Sequence, residues 1–207
     1  MRILIVDDSR QSKFYLENRI KEREEYKIIA MIEDAANAEL YCIKHSVDMI
    51  LMDVCTANNS SGIEAAGRIR KNYPNVKVII ITSMPEHSFI KKARAYDCNG
   101  FWYKEYDEID ILEVMDKVAE GNYVYPKSAP EVEIGCTKSS EFSPREFQIV
   151  RLLADGMSRQ EIADELGISS RTVRFYIDEL KSKTGHDDTM KMVADFVEKK
   201  LIINGLK

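Results

Sequence analysis

The sequence is poor in the features that mark several large classes of protein. No uninterrupted apolar run approaches the ~18 residues of a membrane-spanning helix. Runs such as Val78-Ile79-Ile80-Ile81 are strand-sized. Asp7 and Asp8 interrupt the only apolar run near the N-terminus, which argues against a secretory signal. Cysteine is sparse and scattered, at Cys42, Cys55, Cys98 and Cys136, with no C-x-x-C pair. That pattern argues for reduced thiols rather than a disulfide framework or a thiolate metal site. His45, His87 and His186 are isolated and read as surface or cap residues, not ligands. Excess positive charge is also missing. The net charge is -5 over 207 residues, split as -4 over residues 1–140 and -1 over residues 141–207. Any nucleic-acid footprint must therefore come from local clustering of cations. A cytosolic protein is expected, and an apolar fraction of 44% is enough for a packed core.

What is present first is an alternation of strand-like and helix-like segments. Ile3 to Val6, Lys27 to Ile32, Met49 to Met52, Val76 to Ile81 and Gly100 to Tyr103 read as five strands. Between them lie helical patterns: about residues 9–23, then Ala36, Leu40 and Ile43 on one face, then Gly62 to Asn72, stopped by Pro74. Phe89, Ala93 and Tyr96 mark a fourth helix, and Leu112, Met115 and Ala119 a fifth. Strands joined through helices form parallel sheets, and strands apolar on both faces are covered on both sides. The expected fold is therefore α/β, a doubly wound five-stranded parallel sheet over residues 1–120. Residues 121–141, with Pro126, Pro130 and Gly135, read as a linker.

A different pattern begins near residue 142. Ser143-Pro144-Arg145-Glu146 is a capping box with proline at the first helical position, and Ser158 with Glu161 is a second box. Gly167 ends the second helix, Ser169 caps the third, and a fourth spans about residues 189–200. Residues 142–207 therefore read as an all-α four-helix domain containing a helix-turn-helix.

In doubly wound sheets the functional groups gather beyond the carboxyl ends of the strands. Here those ends carry Asp7 and Asp8, Asp53, Thr82 and Lys104. A dense group of carboxylates needs a cation or a shifted pKa. Mg²⁺ suits all-oxygen ligands. Residues 1–120 resemble the receiver domain of bacterial two-component systems through these five residues, taken in order. The resemblance implies that Asp53 accepts a phosphoryl group from a sensor histidine kinase. It implies that Asp8, Asp53 and the backbone carbonyl of Cys55 hold Mg²⁺, with Asp7 acting mainly through water. It also implies a switch in which Thr82 moves toward the phosphoryl group and Phe101, three residues before Lys104, fills the space. The loop from Val54 to Gly62 departs from the family. It lacks the usual proline and is one residue longer, which leaves phosphoryl lifetime and loop mobility open.

In the third helix of the second domain, Val173, Ile177 and Leu180 form a buried face. At about 100° per residue, the opposite face holds Arg171, Phe175, Asp178 and Ser182, with Arg174 beside it. Arg171 or Arg174 suits guanine, and Phe175 a thymine methyl. Thr172, Lys181 and Lys183 suit phosphates. Asp178 either accepts from a cytosine amine or lowers non-specific affinity. Residues 142–203 resemble the LuxR-type helix-turn-helix of NarL/FixJ response regulators, on Phe142-Ser143-Pro144-Arg145-Glu146, Glu161-Ile162-Ala163 and Ile168-Ser169 followed by Thr172-Val173-Arg174. The resemblance implies binding to an inverted-repeat DNA operator as a homodimer when phosphorylated. Val193, Phe196 and Val197 of the fourth helix read either as ordinary core or as the dimer surface. A regulator rather than an enzyme is expected. A Mg²⁺-dependent hydrolase would leave the second domain unexplained, and a phosphorylation-independent DNA binder would leave the acid, hydroxyl and lysine set unexplained.

Overall fold

The computed structural model describes residues 1–105 and 109–202. They form two compact units, residues 1–83 with 87–129, and residues 84–86 with 130–202.

The first unit is built on a five-stranded parallel sheet. Its strands are β1 (Arg2–Val6), β2 (Lys27–Ile32), β3 (Met49–Asp53), β6 (Lys77–Thr82) and β7 (Gly100–Tyr103). Two further short strands, β4 (Cys55–Thr56) and β5 (Ser60–Ser61), pair only with each other. The sheet order is β2-β1-β3-β6-β7. Successive residues point to opposite faces, and both faces are buried. Ile3, Ile5, Met49, Leu51, Ile79, Ile81 and Trp102 form one core with Leu16 and Ile20 of α1 (Arg10–Ile20) and Leu112, Met115 and Val118 of α5 (Ile111–Ala119). Leu4, Val6, Ile50, Met52, Val78, Ile80 and Phe101 are buried on the other side, which α3 (Gly62–Asn72) covers against β3 and β6. There α3 packs between α2 (Ala38–Lys44) and α4 (His87–Ala95).

Local chemistry starts these helices where they must start. Ser9, Ser61 and Asp110 cap α1, α3 and α5 by accepting from backbone N–H groups of the first turn. The expected face of Ala36, Leu40 and Ile43 points to solvent instead of the sheet. Leu40 and Ile43 are exposed, and the inward residues are the small Ala35 and Ala38. Small inward residues let this short helix sit close to its neighbours.

The segment read as a linker carries ordered structure in the described chain. Val124 lies along the edge strand β7, where its carbonyl accepts from Phe101 N at 2.9 Å and its N–H donates to Asn99 O at 3.0 Å. Tyr125 hydroxyl donates to the Cys98 carbonyl at 2.6 Å. Further on, β8 (Glu133–Ile134) and β9 (Thr137–Lys138) make a two-residue-per-strand hairpin within the second unit. Its turn uses Gly135 at φ 55°, and Ile134 is fully buried. The apolar residues Val124 and Ile134 decide these placements more strongly than the prolines around them.

The second unit comprises α6 (Pro144–Ala154), α7 (Arg159–Leu166), α8 (Ser170–Thr184) and α9 (Thr189–Glu198). Both expected capping boxes form, at Ser143 with Glu146 and at Ser158 with Glu161. Gly167 closes α7 at φ 64° and Ser169 caps α8, which gives the tight turn of a helix-turn-helix. Phe142, Phe147 and Phe196 meet edge-on at the centre, with ring centroids 5.0–6.1 Å apart. Met192, Val193 and Phe196 of α9 are buried in this core. That removes Val193 and Phe196 from the dimer-surface alternative and leaves Val197 and Met190 exposed.

Candidate functional site

The acids gather where the sheet order reverses. β1 and β3 are neighbours at the centre of the sheet, yet their following helices α1 and α3 cover opposite faces. A crevice opens there beyond the strand ends. Asp7 follows β1 and continues its ladder, donating from its backbone N–H to Ile32 O at 2.9 Å. Asp53 is the last residue of β3. Asp7, Asp8 and Asp53 each offer a carboxylate oxygen, and these oxygens lie within 4.8 Å of one another.

Each acid has a distinct environment. Asp7 is fully buried. Its Oδ1 accepts from Ser9 N at 2.9 Å, and its Oδ2 accepts from Ser12 Oγ at 2.5 Å and Lys104 Nζ at 2.7 Å. Asp8 is the exposed member of the set. Asp53 is only 8% exposed, and its Oδ1 accepts from Val54 N at 2.9 Å and pairs with Lys104 Nζ at 3.3 Å. Burial pushes the Asp53 carboxyl up to about 7, against the pull of Lys104, while the neighbouring charges of Asp7 and Asp8 raise it further. Burial also disfavours the Lys104 ammonium, but Asp53 and Asp7 outweigh that and raise its pKa.

Lys104 is aimed by the strand that precedes it. It follows β7 directly, and its backbone N–H donates to the Thr82 carbonyl at 2.9 Å. Thr82 ends β6, opposite Tyr103, and is buried. Phe101 is already inside the protein, with its ring centroid 4.9 Å from that of Tyr103. Three clustered carboxylates with all-oxygen donors fit a hard divalent cation such as Mg²⁺.

The unusual loop after Asp53 is a stitched hairpin. Cys55 pairs with Ser61, and Thr56 with Ser60. Asn58 sits at the turn with φ 59°. Thr56 Oγ1 accepts from Ala35 N at 3.0 Å and donates to Ser60 O at 2.8 Å. Ala57 N donates to Glu33 O at 2.8 Å, and Asn58 Nδ2 to Asp34 Oδ2 at 2.9 Å. The hairpin is thus tied to the chain after β2. Cys55 is half-buried at the start of this hairpin. Gly62 closes it from below, donating to Val54 O at 2.9 Å. A Cβ on Gly62 would stand 1.7 Å from the Asp53 carbonyl oxygen, so α3 approaches the site by way of a residue without a side chain. Sequence reasoning missed Ser12 and Gly62 as supports of Asp7 and Asp53. The position of Ser12 one turn into α1, beyond the acid pair, is the signal that marks it.

On α8 the exposed residues are Arg171, Arg174, Phe175, Asp178, Glu179 and Ser182, with Phe175 60% exposed. Thr172 is half-buried, and its hydroxyl lies 2.8 Å from Ser169 Oγ at the helix cap. Lys181 is half-buried. Lys183 turns inward, donating to Glu146 Oε1 at 2.7 Å and to Glu141 O at 3.4 Å. Glu146 is buried, and this pair with its own capping-box bonds holds its carboxyl below the usual range despite burial. Lys183 is thus an internal partner of a cap, in contrast to the expected phosphate contact.

Strand-end acids at the switch point of a doubly wound sheet, with a lysine over them, define a signal-receiving α/β domain. The same chain carries a helix-turn-helix unit. The chain belongs to the response regulators, and its architecture is of the NarL/FixJ type. Residues 3–116 match the response regulator receiver domain, and residues 140–194 match the bacterial regulatory proteins of the luxR family. The transcriptional regulatory protein DegU of Brevibacillus brevis is 25% identical, covering 96% of this chain and 93% of DegU. The response regulator VraR of Staphylococcus aureus is 26% identical, covering 98% of this chain and 99% of VraR. Among solved structures, RcsB of Salmonella enterica serovar Typhimurium bound to a promoter shares the fold with a TM-score of 0.60 and 19% identity, over 95% of this chain and 97% of that one. The response regulator ChrA, of a heme-sensing two-component system, aligns with a TM-score of 0.51 and 20% identity, over 97% of this chain and 98% of that one. Among the described residues, no helix is long and apolar enough to cross a membrane.

Proposed function

We propose that Asp53 is the phosphoacceptor of this response regulator and that its phosphorylation controls DNA binding through α8. The observation that carries this reading is the juxtaposition of Asp7, Asp8 and Asp53 within 4.8 Å, with Lys104 at 2.7 Å from Asp7 and 3.3 Å from Asp53. An oxygen of ionised Asp53 attacks phosphorus in line, the bond from phosphorus to the donor's imidazole nitrogen breaks, and the leaving nitrogen keeps the electron pair. A sensor histidine kinase is the donor. Asp8, Asp53 and the Cys55 carbonyl would hold Mg²⁺, with Asp7 acting through water, and the ion would supply positive charge to the phosphoryl oxygens. Lys104 adds a second charge and Thr82 a hydroxyl donor. Burial keeps the Asp53 carboxyl near the edge of ionisation, so these positive charges also favour the nucleophilic form.

The output follows from the second unit. Arg171, Arg174 and Phe175 face the major groove of an inverted-repeat operator, with Asp178 among them. Thr172 and Lys181 approach phosphates. Phosphorylation favours a homodimer, which sets the spacing of two recognition helices. Thr82 moves toward the phosphoryl group, and Phe101 adjusts within the interior it already occupies. Solved structures of RcsB include two dimers bound to two parallel DNAs, which supports a dimeric reading here by analogy of fold. The protein acts in the cytoplasm as a transcription regulator without turnover chemistry of its own.

Intact-mass measurement after incubation with Mg²⁺ and acetyl phosphate tests the core of this. One phosphoryl adduct on wild type, lost in Asp53→Asn, is the expected result. No adduct on wild type, or an undiminished one in the variant, refutes it.

A further inference from the structure

Asp178 is an acid on a face otherwise suited to a polyanion. It opposes the approach of DNA backbone phosphates, so its presence needs an account. Its Oδ2 lies 3.6 Å from Nε of Arg174, one helical turn before it. Both side chains are exposed, at 71% and 63%. Helix stability does not supply the account. Exposed pairs at this spacing contribute little, and the cation on the N-terminal side is the weaker order.

The contact is made at one particular nitrogen. A guanidinium offers a side edge that includes Nε and an end edge formed by its two terminal nitrogens. Asp178 approaches at Nε, which leaves the end edge for the bidentate contact that reads guanine O6 and N7. An untethered arginine at this position also reaches phosphates, which carry no sequence information. Holding it over the base edge removes part of the cost of ordering a long side chain on binding.

We infer that Asp178 is a positioning residue for sequence discrimination: it fixes Arg174 for one guanine and lowers non-specific affinity in exchange. The inference rests on the DNA-reading role proposed for α8. Asp178 itself contacts no base, and its effect passes through Arg174.

The test selects from random-sequence duplex DNA with the full chain, treated with Mg²⁺ and acetyl phosphate, and sequences the bound fraction. Wild type, Arg174→Ala, Asp178→Ala and Asp178→Glu are compared. Asp178→Ala is expected to blunt the same guanine that Arg174→Ala blunts. The loss of preference is about twofold, the most that an exposed pair one helical turn apart can bias a flexible side chain. The same variant binds a non-cognate duplex more tightly, and Asp178→Glu restores the preference. Alanine is the best helix former and the site is exposed, so circular dichroism should show α8 intact. A uniform gain of affinity with the motif unchanged overturns the inference and leaves Asp178 a repulsive charge. Blunting at a base pair different from that of Arg174→Ala also overturns it, making Asp178 a direct reader. A wild-type chain that enriches no sequence overturns the DNA-reading role itself, and the inference with it.

Discussion

Replacing Asp53 by asparagine should stabilise the first unit in the absence of divalent metal, by an amount that grows with pH. The native carboxyl is pushed up to about 7 from an ordinary 3.8, chiefly by burial. Below about pH 4 the acid is protonated in both the folded and unfolded chain, and no penalty exists. Between about pH 4 and 7 the unfolded chain has lost a proton that the folded chain still holds, so stability falls as pH rises. Above about pH 7 both states are ionised, and the full penalty is present. Asparagine keeps the shape of the protonated acid and never ionises. The difference of about three pKa units converts to a ceiling of about 4 kcal/mol in favour of asparagine at pH 8, and relaxation brings the expected gain to about 2–3 kcal/mol. Urea unfolding followed by fluorescence reads it directly, because Trp102 is the sole tryptophan and lies buried in the core of this unit. Mg²⁺ should stabilise wild type more than the variant, since binding to the native state adds RT ln(1 + [L]/Kd). The wild-type deficit therefore narrows on titration and returns with chelator. A gap that is flat from pH 4 to 8, or an asparagine variant less stable than wild type at pH 8 without metal, refutes the reasoning.

The other predictions concern the supports of the two sites. Gly62→Ala places a methyl 1.7 Å from the Asp53 carbonyl oxygen, and urea unfolding should show a loss of about 2–3 kcal/mol in the first unit. Thr56→Val keeps the shape but strips the hydroxyl that bridges Ala35 N and Ser60 O, so hydrogen exchange should quicken over residues 54–61 while β3 stays protected, with a cost of about 1–2 kcal/mol. Lys183→Ala leaves Glu146 buried without its cation and should cost the second unit about 1–2 kcal/mol, the low end for a buried pair because the lysine is partly exposed. In wild type the depressed Glu146 pKa contributes stability that is present above its ordinary 4.5 and lost as pH falls through the lower folded value. Thermal melts of Lys183→Ala should show a weaker pH slope in that acid range. The salt dependence of DNA binding should be unchanged in Lys183→Ala and shallower by about one ion in Lys181→Ala.

The sheet and the capping boxes were legible because each rests on short-range chemistry. Val78-Ile79-Ile80-Ile81 has no soluble alternative to a strand buried on both faces, and it lies in the sheet interior. Ser143 and Glu146 satisfy each other's helix-terminal N–H groups across four residues of chain. Periodicity alone was less secure on short helices. Ala36, Leu40 and Ile43 share a face, yet α2 has seven residues and is held through Ala35 and Ala38 instead. Close approach to α3 outweighs the larger area of Leu40 and Ile43, and no single-helix pattern reveals that choice. Gly135 turns the chain between β8 and β9, while Val124 and Ile134 are isolated apolar residues without a period. Only their tertiary partners, an unpaired strand edge and a helical core, give them a place.

The acid site shows a second limit, which is that identity of residue types precedes knowledge of their pairing. Asp7, Asp53 and Lys104 were legible as a set from the strand ends. Their division of labour was not. Lys104 Nζ is closer to Asp7, at 2.7 Å, than to Asp53, at 3.3 Å. Asp7 also takes Ser9 N and Ser12 Oγ, so its charge is well satisfied by the chain. Asp53 takes one backbone N–H and the longer contact to Lys104 among its described bonds, and its carboxyl is the one that burial pushes up. Electrostatic need is thereby concentrated on the carboxylate proposed as nucleophile. The same logic separates Lys183 from Lys181. Both are cations in the last turn of α8, and composition treats them alike. A buried glutamate in the capping box of α6 claims one of them, since an unpaired buried charge costs more than an exposed lysine gains at a phosphate. A cation's role is therefore set by the nearest unsatisfied buried acid, which sequence places within the chain but not within reach.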